Sequence, residues 1–152
     1  MAFASVVFNM AKDKVQNMVK GVAYLATHEV VVGAEGEHSD LLYLHEKGVP
    51  SRNIPPRPVL EPAMAQREVR KQMRSQMTKA MADAVVHGDL NATKSDLERA
   101  GEIGRDACKK YITDGTHLAP NAPATIARKG SDIPLIETGK LLQSITYEVR
   151  RK

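Results

Sequence analysis

Three observations predict an α+β chain: long stretches with apolar residues at spacings of three and four, a run of three consecutive valines, and an alternating segment near the C-terminus. Two or three long helices packed on a small, mostly antiparallel sheet satisfy all three, with a proline-rich arm and a long loop between them. At 152 residues, 42% hydrophobic and 26% charged, the chain has the size and composition of a single domain spanning 1–152. Aromatic residues supply only 4%, with no Trp and two Phe, so the core is expected to be Leu, Ile, Val, Met and Ala. Seven Met residues make such a core adaptable, because Met is flexible at three torsions.

Val7, Ala11, Val15, Met18, Val22 and Leu25 trace one helix face between lysines and Gln16, which predicts a first helix over about 5–26. Glu29 to Gly33 carries the three valines and stops at a glycine, the pattern of a short strand. Ser39 is placed to cap a brief helix over Asp40–Lys47, Gly48 to end it, and Pro50 to forbid its continuation. Prolines at 50, 55, 56, 58 and 62 then lock φ along 49–62, an ordered extended arm outside the sheet. Pro62 suits the first turn of a second long helix whose face reads Val69, Met73, Met77, Ala80 and Ala84, ending near His87 and Gly88. A methionine stripe of this kind is expected to be core.

Ser95 and Glu98 have capping-box spacing, so a third helix is expected to begin there, burying Leu97, Gly101, Gly104, Cys108 and Ile112 and ending at Gly115. Two helix-interior glycines cost about 1 kcal/mol each relative to Ala. Close approach of another backbone, the second helix or a neighbouring subunit, is the expected compensation. Residues 116–134 hold prolines 120, 123 and 134 without periodicity and read as a long loop that orders against a partner. Thr138 precedes a single turn, and Ile145, Tyr147 and Val149 alternate with Thr146 and Glu148 as a half-buried strand.

Catalytic and metal chemistry find little to work with. His45 and Glu46 are adjacent, but position 49 is Val, so the two-histidine zinc spacing is broken. The five His lie in five contexts without ligand spacing, and the single Cys108 excludes an internal disulfide and reads as a buried packing residue. Neither Gly33 with Gly36 nor Gly139 with Lys140 completes a phosphate loop. The acid pairs Glu35 with Glu37 and Glu46 with Glu61 default to solvated charge. No catalytic, cofactor-binding or metal residues are therefore assigned. The net charge of +4 is scattered, apart from Arg128 with Lys129 and the terminal Arg150, Arg151 and Lys152, so nucleic-acid binding stands as the alternative reading only. No run approaches the ~18 apolar residues of a membrane span. Lys12 and Lys14 follow the apolar start rather than precede it, the reverse of a secretory signal, and synthesis in a cytosol fits.

The segment His45, Glu46, Lys47, Gly48, followed by Ile54, Pro55, Pro56, Arg57, Pro58, Val59 and Leu60, resembles a signature of the virion-morphogenesis, or tail-completion, proteins of tailed bacteriophages. A second block resembles the same family's carboxy-terminal signature: Thr125, Ile126, Arg128, Lys129, Gly130, Pro134, Leu135, Ile136, Thr138, Gly139, Leu141, Ser144, Ile145, Tyr147 and Val149. Their order and the helical insert between them agree as well, from about residue 28 onward. Lys47 and Val59 stand where aromatics are usual, and Glu137 where Asp is usual.

The resemblance implies a structural virion protein, not an enzyme, that forms a ring at or near the head-tail junction. Sixfold symmetry is favoured, with twelvefold the alternative. Its implied neighbours are connector, neck or tail-tube proteins, with DNA only as passing genome and no membrane. The residues it marks as interface candidates are Glu46, Gly48, Pro55, Pro56, Arg57, Pro58, Arg128, Lys129, Thr138 and Gly139. Arg57, held between two prolines, is expected either to meet a neighbouring subunit's carboxylate or to stand as a surface guanidinium.

Overall fold

Sixty-seven per cent of the chain is helical, and its two strands form an antiparallel sheet, the predicted α+β class. The computed structural model describes the backbone of residues 2–152 and the side chains of residues 12–152. Helix α1 (Ala2–Thr27) leads into β1 (His28–Ala34), α2 (Glu37–Lys47), a 3-10 turn at Pro50–Arg52, α3 (Leu60–Ala65) and α4 (Arg67–Ala82). A π-helical turn at Asp83–His87 is followed by α5 (Leu90–Asp114), α6 (Pro123–Lys129), α7 (Lys140–Ser144) and β2 (Ile145–Arg151), which pairs with β1.

The chain divides into two compact units. The first comprises Val31 and the residues before it, Lys71–Gly101 and Glu148–Lys152. Here α1 packs on the π turn at Gly21, where an added Cβ would lie 2.9 Å from the Ala84 backbone. That distance leaves no room for a side chain, so Gly21 is what lets the two segments touch. Gly88 closes the turn in the left-handed conformation, its N–H donating to the Asp83 carbonyl. At the strand ends, Arg150 Nε reaches Glu29 Oε1 at 3.1 Å and Lys152 N donates to Thr27 O.

The second unit, Val32–Arg70 with Glu102–Tyr147, holds a cluster of buried apolar side chains. Leu42 of α2, Val59, Ala63 of α3, Cys108 and Ile112 of α5, Leu118, Leu141 of α7 and Ile145 of β2 form it. These come from every part of the unit's sequence. The cluster therefore welds the segments together rather than thickening one of them.

Several expectations are corrected. The second long helix breaks at Gln66, whose ψ of 134° is extended, so α3 and α4 are separate. Neither Pro nor Gly marks that break. Helix α5 starts five positions before Ser95, because Asp89 caps it: Asp89 Oδ1 accepts from Ala92 N at 2.9 Å, and its carbonyl accepts from Thr93 N. Leu97, Gly101, Gly104, Cys108 and Ile112 are all buried, as the periodicity required. Residues 116–134 are not a bare loop, since α6 occupies Pro123–Lys129 and Leu118 lies in the core. The 49–62 segment is not a free arm either, because Arg57 and Val59 are buried while Pro55, Pro56 and Pro58 face outward.

The apolar faces read as core are partly open. Val15 and Val22 of α1 and Met77 of α4 are exposed, whereas Ala80 and Ala84 are fully buried. Val7 and Ala11, assigned to the α1 face, lie outside the residues whose side chains are described.

Candidate functional site: a cationic cleft in the second unit

The cleft is built from three stretches that fold for different reasons. Helix α2 begins after Gly36, whose carbonyl accepts both the N–H and the hydroxyl of Ser39, and ends where Gly48 N donates to Leu44 O. Gly48 has φ +69°, and a Cβ there would lie 2.6 Å from Pro56 N. Only glycine allows the chain to fold back this closely, and the fold-back is what brings the proline segment beside α2.

Glu46 secures the same junction. Its Oε1 accepts Val59 N at 2.7 Å and Leu60 N at 2.8 Å, serving two of the backbone donors that the start of α3 leaves without helical partners. The carboxylate is spent on structure. Glu61, the other carboxylate of the acid pair, is exposed.

Arg57 is only 7% exposed. Its Nε donates to Ala119 O at 2.7 Å and its Nη2 to Pro120 O at 2.9 Å, so the guanidinium clamps the segment after α5 onto the proline segment. Two neutral carbonyls satisfy donors without cancelling charge. Farther along, Asn121 Nδ2 donates to Asp132 O and Lys129 Nζ to Ile133 O at 2.9 Å, folding α6 and its flanks into a closed excursion. Gly130 and Gly139 each adopt left-handed φ, and Lys140 N contacts Thr138 Oγ1 at 3.4 Å.

Between these stretches opens a cleft of about 730 Å³. Its apolar walls include Leu41, Ile54, Leu135 and Leu141, and its cations are Arg57, Arg128, Lys129 and Lys140. One carboxylate, Glu137, also lines it, and Arg128 Nη1 binds that group at 2.7 Å. His45 lines the cleft with its Nδ1 buried and without a partner. Burial, then the charges of Arg57 and Lys129, hold its pKa below the ordinary 6.5, so the ring is neutral at neutral pH. The arrangement can receive negative charge. The thiol of Cys108 sits in the apolar core, where burial pushes its pKa up to about 12.

Of the ten interface candidates read from sequence, Pro55, Arg57, Arg128, Lys129, Thr138 and Gly139 meet at this cleft. Glu46 and Gly48 instead hold the junction behind it, and Pro56 and Pro58 are exposed outside its lining. His38, Asn121, Thr125 and Lys140 line it without having been among those ten candidates. Lys140 follows Thr138 and Gly139 directly, which was the available signal for it. Among the described residues no group of three or more His, Cys, Asp or Glu is placed to hold a metal ion, and no helix is long and apolar enough to cross a membrane. No protein-family model, curated protein or solved structure matches the chain.

Proposed function

We propose that the chain is a non-enzymatic structural subunit of a tailed-phage virion, forming a ring at or near the head-tail junction and joining or stabilising that connection. One observation carries the reading: the two blocks that resemble the tail-completion family, far apart in sequence, line a single open cleft. Blocks that share only a folding role have no reason to converge on solvent-accessible concave surface; a contact surface needs this. Rigid backbone in the lining supports it, because Pro55 loses little freedom when a partner docks. Exposed Val15, Val22, Met77 and Met81 supply apolar surface for neighbouring copies as well.

In this reading the partners are further copies of the chain, sixfold in preference to twelvefold, and adjoining connector, neck or tail-tube proteins. DNA passes through the ring, no membrane is involved, and the protein is made in the host cytoplasm and resides in the virion.

The test is a phage carrying a nonsense codon in this reading frame, examined by electron microscopy with and without the protein supplied in trans. Unjoined heads and tails without it, and an antibody label at the neck of rescued particles, are expected. Complete infectious particles without the protein, or label elsewhere in the virion, overturn the reading.

A further inference from the structure

We infer that the cleft receives a short acidic peptide segment, one that interleaves carboxylate and aliphatic side chains and belongs to a neighbouring protein chain. The identity of the supplier rests on the ring-subunit reading; the chemistry of the segment does not.

The charge argument comes first. Arg57, Arg128, Lys129 and Lys140 face one carboxylate, Glu137, which Arg128 already holds. Three cations remain in excess within a concavity whose walls include Leu41, Ile54 and Leu135. Low-dielectric walls focus such a field and strengthen it toward an incoming anion. Arg57 is fixed by its two carbonyl bonds, so its charge is presented without further loss of side-chain freedom.

Shape selects among anions. A volume of about 730 Å³ is within the ~300–1,000 Å³ typical of ligand sites and far larger than one phosphate needs. The apolar walls would stay wet under a small inorganic ion. Aliphatic side chains between the carboxylates cover them. Nucleic acid fits less well, because no Phe, Tyr or Trp lines the cleft to stack a base, and single strands bind largely through such platforms.

The probe is a fluorescein-labelled peptide of about eight residues alternating Asp and Leu, titrated with the intact protein at about 50 mM salt and read by anisotropy. Lys140 carries no side-chain hydrogen bond or ion pair among the described residues, so Lys140→Gln removes a cleft charge without touching the fold, which circular dichroism and a melting curve verify. We expect saturable binding, weakening of roughly fivefold in Lys140→Gln, recovery in Lys140→Arg, and loss at high salt. An Asn-Leu peptide is expected to bind at least about tenfold more weakly. Equal binding of the Asn-Leu peptide, unchanged affinity in Lys140→Gln, or a single-stranded oligonucleotide of equal charge binding as tightly as the acidic peptide each overturns the inference. Particle microscopy addresses the ring-subunit reading separately, so either can fail while the other stands.

Discussion

At single residues, function and stability are hard to separate in the second unit. Arg57 lines the cleft, yet its two short bonds also tie Ala119 and Pro120 to the proline segment. Each hydrogen bond from a charged group is worth about 1.5–3 kcal/mol, so Arg57→Ala is expected to lower unfolding free energy by about 3 kcal/mol in a urea titration. Gly48→Ala is expected to cost at least as much, roughly 3 kcal/mol or more, since the new Cβ meets Pro56 N at 2.6 Å in a backbone conformation that L-residues avoid. His45 makes the unit acid-sensitive. Its folded pKa lies below 6.5, so its contribution is present above that value and is lost as pH falls through the lowered one. The stability difference between wild type and His45→Gln should therefore shift against wild type on acidification below pH 6.5. A pH-independent difference would show that the ring titrates normally.

The element scale shows where local sequence speaks and where it is silent. The buried face of α5 was legible because five small or apolar residues recur at helical spacing, and three consecutive valines sufficed to announce β1. The start of α5 was misplaced because Asp89 and Ser95 both qualify as caps, and only the bond from Ala92 N decides between them. Helix α6 was invisible, since seven residues are too few for periodicity to emerge. The cleft was half-legible: its proline and basic residues stood out one by one, but their meeting depends on Gly48 and Arg57 folding distant segments together. The π turn left no signature, and it carries its own titration. Asp96 is 2% exposed, with Oδ1 bound to Lys79 Nζ at 2.9 Å and Oδ2 buried without a hydrogen-bond partner. Asp83 beside it has a pKa raised above 3.8, chiefly because its protonated form can donate to the Asp96 carboxylate, then by burial and the Asp96 charge. A raised pKa means stability present at low pH and lost as pH rises through the raised value. Asp83→Asn keeps a donor and removes the charge. Its denaturation midpoint should exceed that of wild type at neutral pH, with the gap closing in acid; a constant gap would refute the raised Asp83 pKa.

At the scale of the whole molecule, the exposed prolines separate a small effect on folding from a larger one on the proposed contact. Ser in place of Pro55, Pro56 and Pro58 loosens the unfolded chain, which costs about 0.4–1 kcal/mol per proline without removing the buried Arg57 and Val59 contacts. The variant is expected to fold, to melt a few degrees lower, and to yield fewer joined particles in complementation. Normal particle numbers would exclude these prolines from the proposed contact. Cys108 opens a practical route to all of these experiments. It is the chain's one cysteine, it is fully buried, and with a pKa near 12 it is almost wholly thiol under native conditions. Maleimide dyes need thiolate, so the folded protein is a blank background for labelling. A cysteine placed at exposed Lys140 or Ile126 then takes a single fluorophore without first deleting the native sulfur, and energy transfer between labelled copies tests whether the proposed ring forms.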